Sequence, residues 1–86
     1  MKIRYWGILY IPEGRILMNF YSKDPWLFNV RKIAEDHLYH PRVSMFSPDY
    51  PYKADTWKYN NFSPDVVVDE FEVIEVEYDY NAQTGY

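Results

Sequence analysis

Two runs of β-forming residues flank a turn sequence near the N-terminus. Pro12, Glu13 and Gly14 separate the runs, with proline presetting the turn and glycine suited to the left-handed position of a three-residue loop. The pattern predicts a β-hairpin in which Ile11 lies opposite Arg15. Alternation along its strands then places one apolar set on the core face, namely Trp6, Ile8, Tyr10, Ile16, Met18 and Phe20.

The opposite face of this predicted hairpin is more apolar than a solvent-facing sheet surface usually is. It carries Ile3, Tyr5, Leu9, Leu17 and Tyr21 around Gly7 and Asn19. We therefore expect that this face either is covered by another part of the chain or binds a partner.

A helical pattern follows the hairpin. Asp24-Pro25 is typical of a helix start, with Asn29 as an alternative N-cap, and Pro41 ends the helix. The apolar positions at helical spacing are Leu27, Val30, Ile33, Ala34 and Leu38. This spacing predicts one amphipathic helix packed on the core face of the hairpin.

Residues 41–65 contain four prolines and six aromatic residues. Prolines oppose regular structure, yet so many rings disfavour disorder, so we expect a long ordered loop with a short strand at 42–46. The sequence Phe-Ser-Pro-Asp occurs at 46–49 and again at 62–65. Ser-Pro-Asp favours a turn or a helix start at both places.

The last predicted element is a strand that begins at Val66 or Phe71, ends at Tyr80, and lies beside the first strand. Ile74 and Val76 share one parity with Tyr78 and Tyr80, whereas Phe71 and Val73 are out of phase, which predicts a bulge near 73–74. The result is a small α+β domain with a ββαβ layer over residues 1–80. Residues 81–86 are expected to form a frayed tail.

Composition excludes several classes of protein. The 86 residues include no cysteine, which excludes disulfides, thiolate zinc sites and a thiol nucleophile, and favours the cytoplasm. No stretch approaches the roughly 18 apolar residues of a membrane helix, so no membrane partner is expected. The formal net charge is −4, and residues 65–79 hold seven acids and no base. This asymmetry disfavours generic nucleic-acid binding.

Motifs for catalysis are missing from the sequence. There is no Gly-rich phosphate loop, no Gly-x-Ser-x-Gly elbow and no His-Glu-x-x-His. Glu35, Asp36, His37 and His40 form the one metal-like cluster, but the two histidines lie at the helix end before Pro41, where the helix dipole explains them. We therefore predict no enzyme activity, no catalytic residue, no metal site and no cofactor.

The acidic strand offers a candidate surface. Glu75, Glu77 and Asp79 share a face and repeat at about 6.6–6.8 Å, close to the spacing of phosphates along a nucleic-acid strand. Such a row can steer association with a basic protein and compete with its nucleic acid. The alternatives are a solvated edge strand whose charges prevent aggregation, or pairing with Lys2 and Arg4.

A second candidate function is binding of single-stranded nucleic acid through rings on the sheet surface. The basic residues available for it are Lys2, Arg4, Arg15, Lys23, Lys53 and Lys58. The acidic strand would repel phosphate, so direct nucleic-acid binding ranks below protein binding. A third alternative is a structural homo-oligomer, such as a homodimer that buries the outer apolar patch.

The segments Tyr5–Arg15, Trp26–Phe28 and Ala34–Leu38 are similar to those of compact, Tyr-rich, cysteine-free accessory proteins of bacterial viruses, some of which inhibit host defence. The resemblance implies a phage-type inhibitor, in the manner of anti-CRISPR and anti-restriction proteins, acting in the host cytoplasm. Together with the residue pattern it predicts a non-enzymatic module that occupies a basic nucleic-acid-handling protein. The predicted partner-binding residues are Tyr5, Leu9, Leu17, Tyr21, Tyr52, Trp57, Tyr59, Glu75, Glu77 and Asp79.

Overall fold

An antiparallel sheet of three strands organises the chain. The computed structural model describes residues 2–79, and the side chains of residues 2–77. Strands β1 (Lys2–Tyr10), β2 (Arg15–Ile16) and β3 (Phe71–Asp79) lie in the order β2-β1-β3, and the helices are α1 (Arg31–Tyr39) and α2 (Lys53–Asn60). The predicted α+β class and the position of the last strand beside the first are confirmed. Tyr80 and the predicted tail, 81–86, lie outside the described residues.

The N-terminal hairpin forms at the predicted turn but in another register. A 3-10 turn over Ile11–Glu13 ends at Gly14, whose φ of 63° is the left-handed conformation that glycine adopts readily. Tyr10 pairs with Arg15, so the predicted alignment of Ile11 with Arg15 is wrong by one residue. A slip of one residue exchanges the faces of a strand. Leu17, predicted on the outer face, is therefore 0% exposed in the core.

The second run of the hairpin leaves β1 earlier than predicted. Leu17 N–H still donates to the Ile8 carbonyl, but the chain then turns back and Met18 bridges to Pro25. The predicted alignment of Ile11 with Arg15 would also pair Trp6 with Phe20. This pairing is wrong, because Phe28 lies beside Trp6 instead and forms two hydrogen bonds with it, of 2.8 and 2.9 Å.

Helix α1 begins later than the sequence predicts. Pro25 lies in the bridge to Met18, and Val30 is the residue before the first helical turn, so neither Asp24 nor Asn29 is the N-cap. The helix ends before Pro41, as expected. It buries Ala34, His37 and Leu38, while the predicted core residues Val30 and Ile33 are half exposed.

Residues 41–65 are ordered as expected, but they contain α2 rather than a strand. Residues 42–46 form turns, and the predicted single helix is joined by this second one. The Asn60 side chain at the end of α2 accepts from Met18 N–H at 2.8 Å and donates to the Met18 and Thr56 carbonyls. The amide thus takes the place of a neighbouring strand where the hairpin diverges.

The two Phe-Ser-Pro-Asp segments form the same kind of turn, which confirms the turn prediction. Ser47 and Ser63 each accept a hydrogen bond at Oγ from the backbone N–H two residues later, at 3.2 Å in both cases. Each turn presents its phenylalanine to Phe71 of β3, with ring centroids 5.5 Å away for Phe46 and 5.3 Å for Phe62. The repeated motif therefore anchors this region to one face of the sheet.

Strand β3 pairs with β1 in continuous register from Lys2 with Asp79 to Tyr10 with Phe71, so the predicted bulge near 73–74 is wrong. The apolar residues of β3 switch from one face to the other between Val73 and Ile74 for another reason. Phe71 and Val73 share the core face with Tyr10 and Ile8, whereas later residues of that parity extend beyond the core and are acidic. The buried apolar core consists of Ile8, Tyr10, Leu17, Phe28, Ala34, Leu38, Met45, Trp57, Phe62, Val66 and Phe71.

Candidate interaction surfaces

The sheet has an apolar face on the side away from the core. Residues that lie directly opposite each other in antiparallel strands point to the same face, so the pairs of Tyr5 with Val76 and of Gly7 with Ile74 identify the residues on this side. Its apolar side chains are all partly exposed, and we call them the outer sheet face: Ile3, Tyr5, Leu9, Ile16, Ile74 and Val76.

Gly7 lies at the centre of the outer sheet face and allows its neighbours to meet above the middle strand. A Cβ at this position would lie 2.7 Å from Ile16 Cδ1 and 3.3 Å from Val76 Cγ2. Side chains of the two flanking strands therefore close over the glycine. The face is continuous across all three strands for this reason.

The rest of the fold packs on the opposite side of the sheet. The core residues of α1, α2 and residues 41–65 contact the face that carries Ile8, Tyr10 and Phe71. Residues 41–65 therefore do not provide the cover that the sequence left open for this face. Within residues 2–79, no helix packs on the outer sheet face.

The acidic row pairs with basic residues of the neighbouring strand. Glu75 forms an ion pair with Arg4, and Glu77 one with Lys2 at 3.3 Å. All four side chains remain largely exposed, so the row is a solvated edge whose charges are partly neutralised. Asp79 pairs with Lys2 through the backbone register, and its side chain lies outside the described residues.

The remaining predicted contact residues lie apart from the outer sheet face. Trp57 packs against Phe46 and Phe62 and is largely buried. Tyr52 precedes α2 and Tyr59 lies within it, and both side chains are exposed. Of the ten predicted residues, only Tyr5 and Leu9 belong to the outer sheet face, because Leu17 is buried and Tyr21 lies in the turn after it.

A cavity lined by rings lies beside α2 and was not predicted. Its volume is about 510 Å³, and we call it the aromatic cavity; it is lined by Asn19, Phe20, Tyr21, Trp26, His37, Tyr50, Tyr52 and Asp55. The ring centroids of Trp26 and His37 are 4.4 Å apart, and those of Phe20 and Tyr52 are 5.7 Å apart. Its residues come from separate turns and helices without a common period, so no sequence pattern brings them together.

Burial shifts the pKa values of two titratable groups that line the aromatic cavity. Burial lowers the pKa of His37 to about 4, and its Nε2 has no hydrogen-bond partner, so the imidazole is neutral near pH 7. Burial also raises the pKa of Tyr50, an effect that the nearby Thr56 hydroxyl partly offsets. Neither of those hydroxyls has a hydrogen bond of good geometry.

The metal-like cluster of the sequence does not come together. His37 is buried among rings, whereas His40 Nδ1 accepts the backbone N–H groups of Arg42 and Val43. Asp36 pairs with Lys32 at 2.7 Å. Searching residues 2–79 finds no group of three or more histidine, cysteine or acidic side chains placed to hold a metal ion.

Comparison of the chain with protein-family models, curated proteins and solved structures finds no match. In the part of the chain that the structure describes, no helix has the length and apolar character needed to cross a membrane.

Proposed function

We propose that this protein is a non-enzymatic protein-binding module that docks its partner on the outer sheet face. One observation carries the proposal: partly exposed apolar side chains run without interruption across three strands, on the side of the sheet opposite both helices. Contiguous apolar patches on small proteins mark interaction sites. A sheet face that is already ordered also costs little conformational entropy to bind.

Charge supports a basic partner rather than a second copy of the chain. The net charge is −4, so two copies repel each other. Among the described residues, Lys2 and Arg4 pair with Glu77 and Glu75 only. The other acids described for 65–77 have no Lys or Arg within ion-pair distance there: Asp65, Asp69, Glu70 and Glu72. Residues 65–77 therefore carry excess negative charge, and Glu72, which lies opposite Leu9, is on the outer sheet face itself.

We propose further that the partner is a basic nucleic-acid-handling protein and that docking inhibits it. The support is the excess of acid in residues 65–77, of which Glu72 lies on the outer sheet face, together with the resemblance to phage accessory proteins. Two of the three residues of the predicted acidic row, Glu75 and Glu77, are engaged with Arg4 and Lys2. Its role is therefore to steer association, while the apolar face supplies the buried contacts.

A lysine at position 74 tests the docking surface. Ile74→Lys places a charge at the centre of the outer sheet face, opposite Gly7, where the lysine stem can lie along the strand without filling the core. We expect the affinity for the partner to fall by about tenfold or more, because a buried unpaired ammonium is costly. Tagged protein retained from nuclease-treated bacterial lysate and quantified by mass spectrometry provides the readout.

Val43→Lys is the matched control, since Val43 is exposed and lies outside both the sheet and the acidic segment 65–77. Circular dichroism and thermal unfolding confirm that both variants remain folded. The proposal is contradicted if both variants retain the same proteins as the unmodified chain, or if only nucleic acid or further copies of the chain are retained.

A further inference from the structure

The aromatic cavity is a second open surface, separate from the outer sheet face. Its rings are contributed by the turn after Leu17, by the segment before α1 and by the residues that lead into α2. Tyr21 is 86% exposed and Tyr52 is 51% exposed, so rings at its edge face solvent rather than completing the core. The cavity therefore offers aromatic faces to a ligand.

The charge of the cavity favours a cation. Asp55 is the one carboxylate in the lining, and the lining contains no lysine or arginine. The buried imidazole of His37 adds no positive charge near pH 7. Aromatic faces attract cations through their quadrupole, and a carboxylate adds direct attraction. Phosphates and carboxylates find no positive group in this lining.

The Asp55 carboxylate favours one class of cation over the others, because cations differ in the hydrogen bonds that they can donate to it. A quaternary ammonium has no N–H to donate to Asp55, and a lysine ammonium is compact and strongly hydrated. A guanidinium is planar and weakly hydrated, stacks on rings, and donates two parallel hydrogen bonds to a carboxylate. Rings beside one carboxylate therefore fit arginine best.

We propose that the aromatic cavity receives an arginine side chain of the protein partner, stacked on Tyr52 and neighbouring rings and paired with Asp55. That the arginine belongs to the partner rests on the proposed function, in which the partner is a basic protein. The binding chemistry is independent of it, because a free arginine derivative can occupy the cavity without any partner.

Titration with N-acetyl-arginine amide tests the proposal directly. The chemical shifts of the tryptophan indole N–H groups are followed by NMR, with the neutral, equally shaped citrulline derivative as the comparison. We expect saturable binding that shifts the Trp26 signal, and about tenfold weaker binding of the citrulline derivative. Equal binding of both compounds, no binding of either, or tighter binding of choline or inorganic phosphate would each overturn it.

Variants with matched controls locate the site. Asp55→Asn and Tyr52→Leu should each weaken binding of the arginine derivative by about tenfold, because one removes the paired charge and the other a ring. Asp49→Asn and Tyr59→Leu are the controls, since both residues are exposed and neither lines the aromatic cavity. Equal losses in variants and controls would contradict the assignment.

The two proposals can fail separately. Ile74→Lys should leave binding of the arginine derivative unchanged, because position 74 lies on the other side of the sheet. Loss of partner capture with intact arginine binding therefore concerns the outer sheet face alone. Failure of the arginine titration, with capture still sensitive to Ile74→Lys, overturns only the cavity proposal.

Discussion

His37 is a titratable residue that the fold holds among aromatic rings. Its ring centroid lies 4.4 Å from that of Trp26 and 5.4 Å from that of Phe28, and the side chain is 8% exposed. An imidazolium here would lose hydration without gaining a partner for Nε2. The neutral form is therefore favoured, which is why the pKa falls from 6.5 to about 4.

The lowered pKa of His37 predicts that acid destabilises the folded protein through this one residue. The unfolded chain binds the proton more tightly, so the contribution of His37 is intact above pH 6.5 and is lost as the pH falls toward about 4. The loss reaches about 3 kcal/mol of unfolding free energy. Chemical denaturation of the protein and of His37→Phe between pH 7.5 and 4 measures it. Carboxylates titrate in both, so parallel stability curves would contradict the prediction.

Gly7 makes a second prediction at the scale of one residue. In Gly7→Ala the new methyl meets the flexible tip of Ile16, which can move, so we expect a change within about 1 kcal/mol. Gly7→Val adds two further methyl groups where the Cβ already lies 3.3 Å from Val76 Cγ2, and we expect a loss of about 1–3 kcal/mol. Denaturant midpoints compare the two variants. Equal stability would show that side chains do not close over this position.

At the scale of elements, Asn60 ties α2 to the diverging hairpin. Asn60→Ala removes the hydrogen bonds to both backbone groups of Met18, in a region that is largely buried. We expect a loss of about 2–4 kcal/mol in the free energy of unfolding, because unsatisfied buried backbone groups are costly. Equilibrium denaturation monitored by tryptophan fluorescence gives the value.

The adjacent residue is the control for that measurement. Asn61 is exposed and has a φ of 57°, a left-handed conformation that glycine adopts readily. Asn61→Gly should therefore change stability by less than about 1 kcal/mol. Similar losses in the two variants would mean that the amide of Asn60 has no special role.

Several elements were predictable from local chemistry. The turn at 12–14, the end of α1 before Pro41 and the placement of β3 beside β1 follow from turn residues, proline and alternation. Helix α2 was not, because two of its buried residues, Thr56 and Asn60, are polar and leave no apolar periodicity. The register of the hairpin depends on closure of the 3-10 turn, which the residue types alone do not fix.

The candidate site was predicted only in part. Alternation along β1 identifies Tyr5 and Leu9 as outer residues, but the register error assigns Ile16 to the core side and Leu17 to the outer side. The expected bulge obscures the contribution of Ile74 and Val76. The aromatic cavity depends on contacts between distant segments, so it becomes visible only in the folded chain.

At the scale of the whole molecule, the sheet divides the protein into two sides. One side holds both helices, the core and the aromatic cavity, and the other holds the outer sheet face. The net charge of −4 gives the whole molecule a field that attracts basic partners. Association with the partner should therefore slow as ionic strength rises, while dissociation changes less. Stopped-flow kinetics at two salt concentrations measures both rates.

Site-specific photo-crosslinking tests the central claim, that the outer sheet face is the docking surface. A benzophenone side chain placed at Leu9 lies on that face, whereas the same group at Val43 or Tyr39 lies at an exposed position away from it and from the aromatic cavity. After irradiation in nuclease-treated lysate, we predict a single protein crosslinked from position 9 and none from positions 43 and 39. Equal crosslinking from all three positions, or crosslinks only between copies of the chain, would contradict the claim.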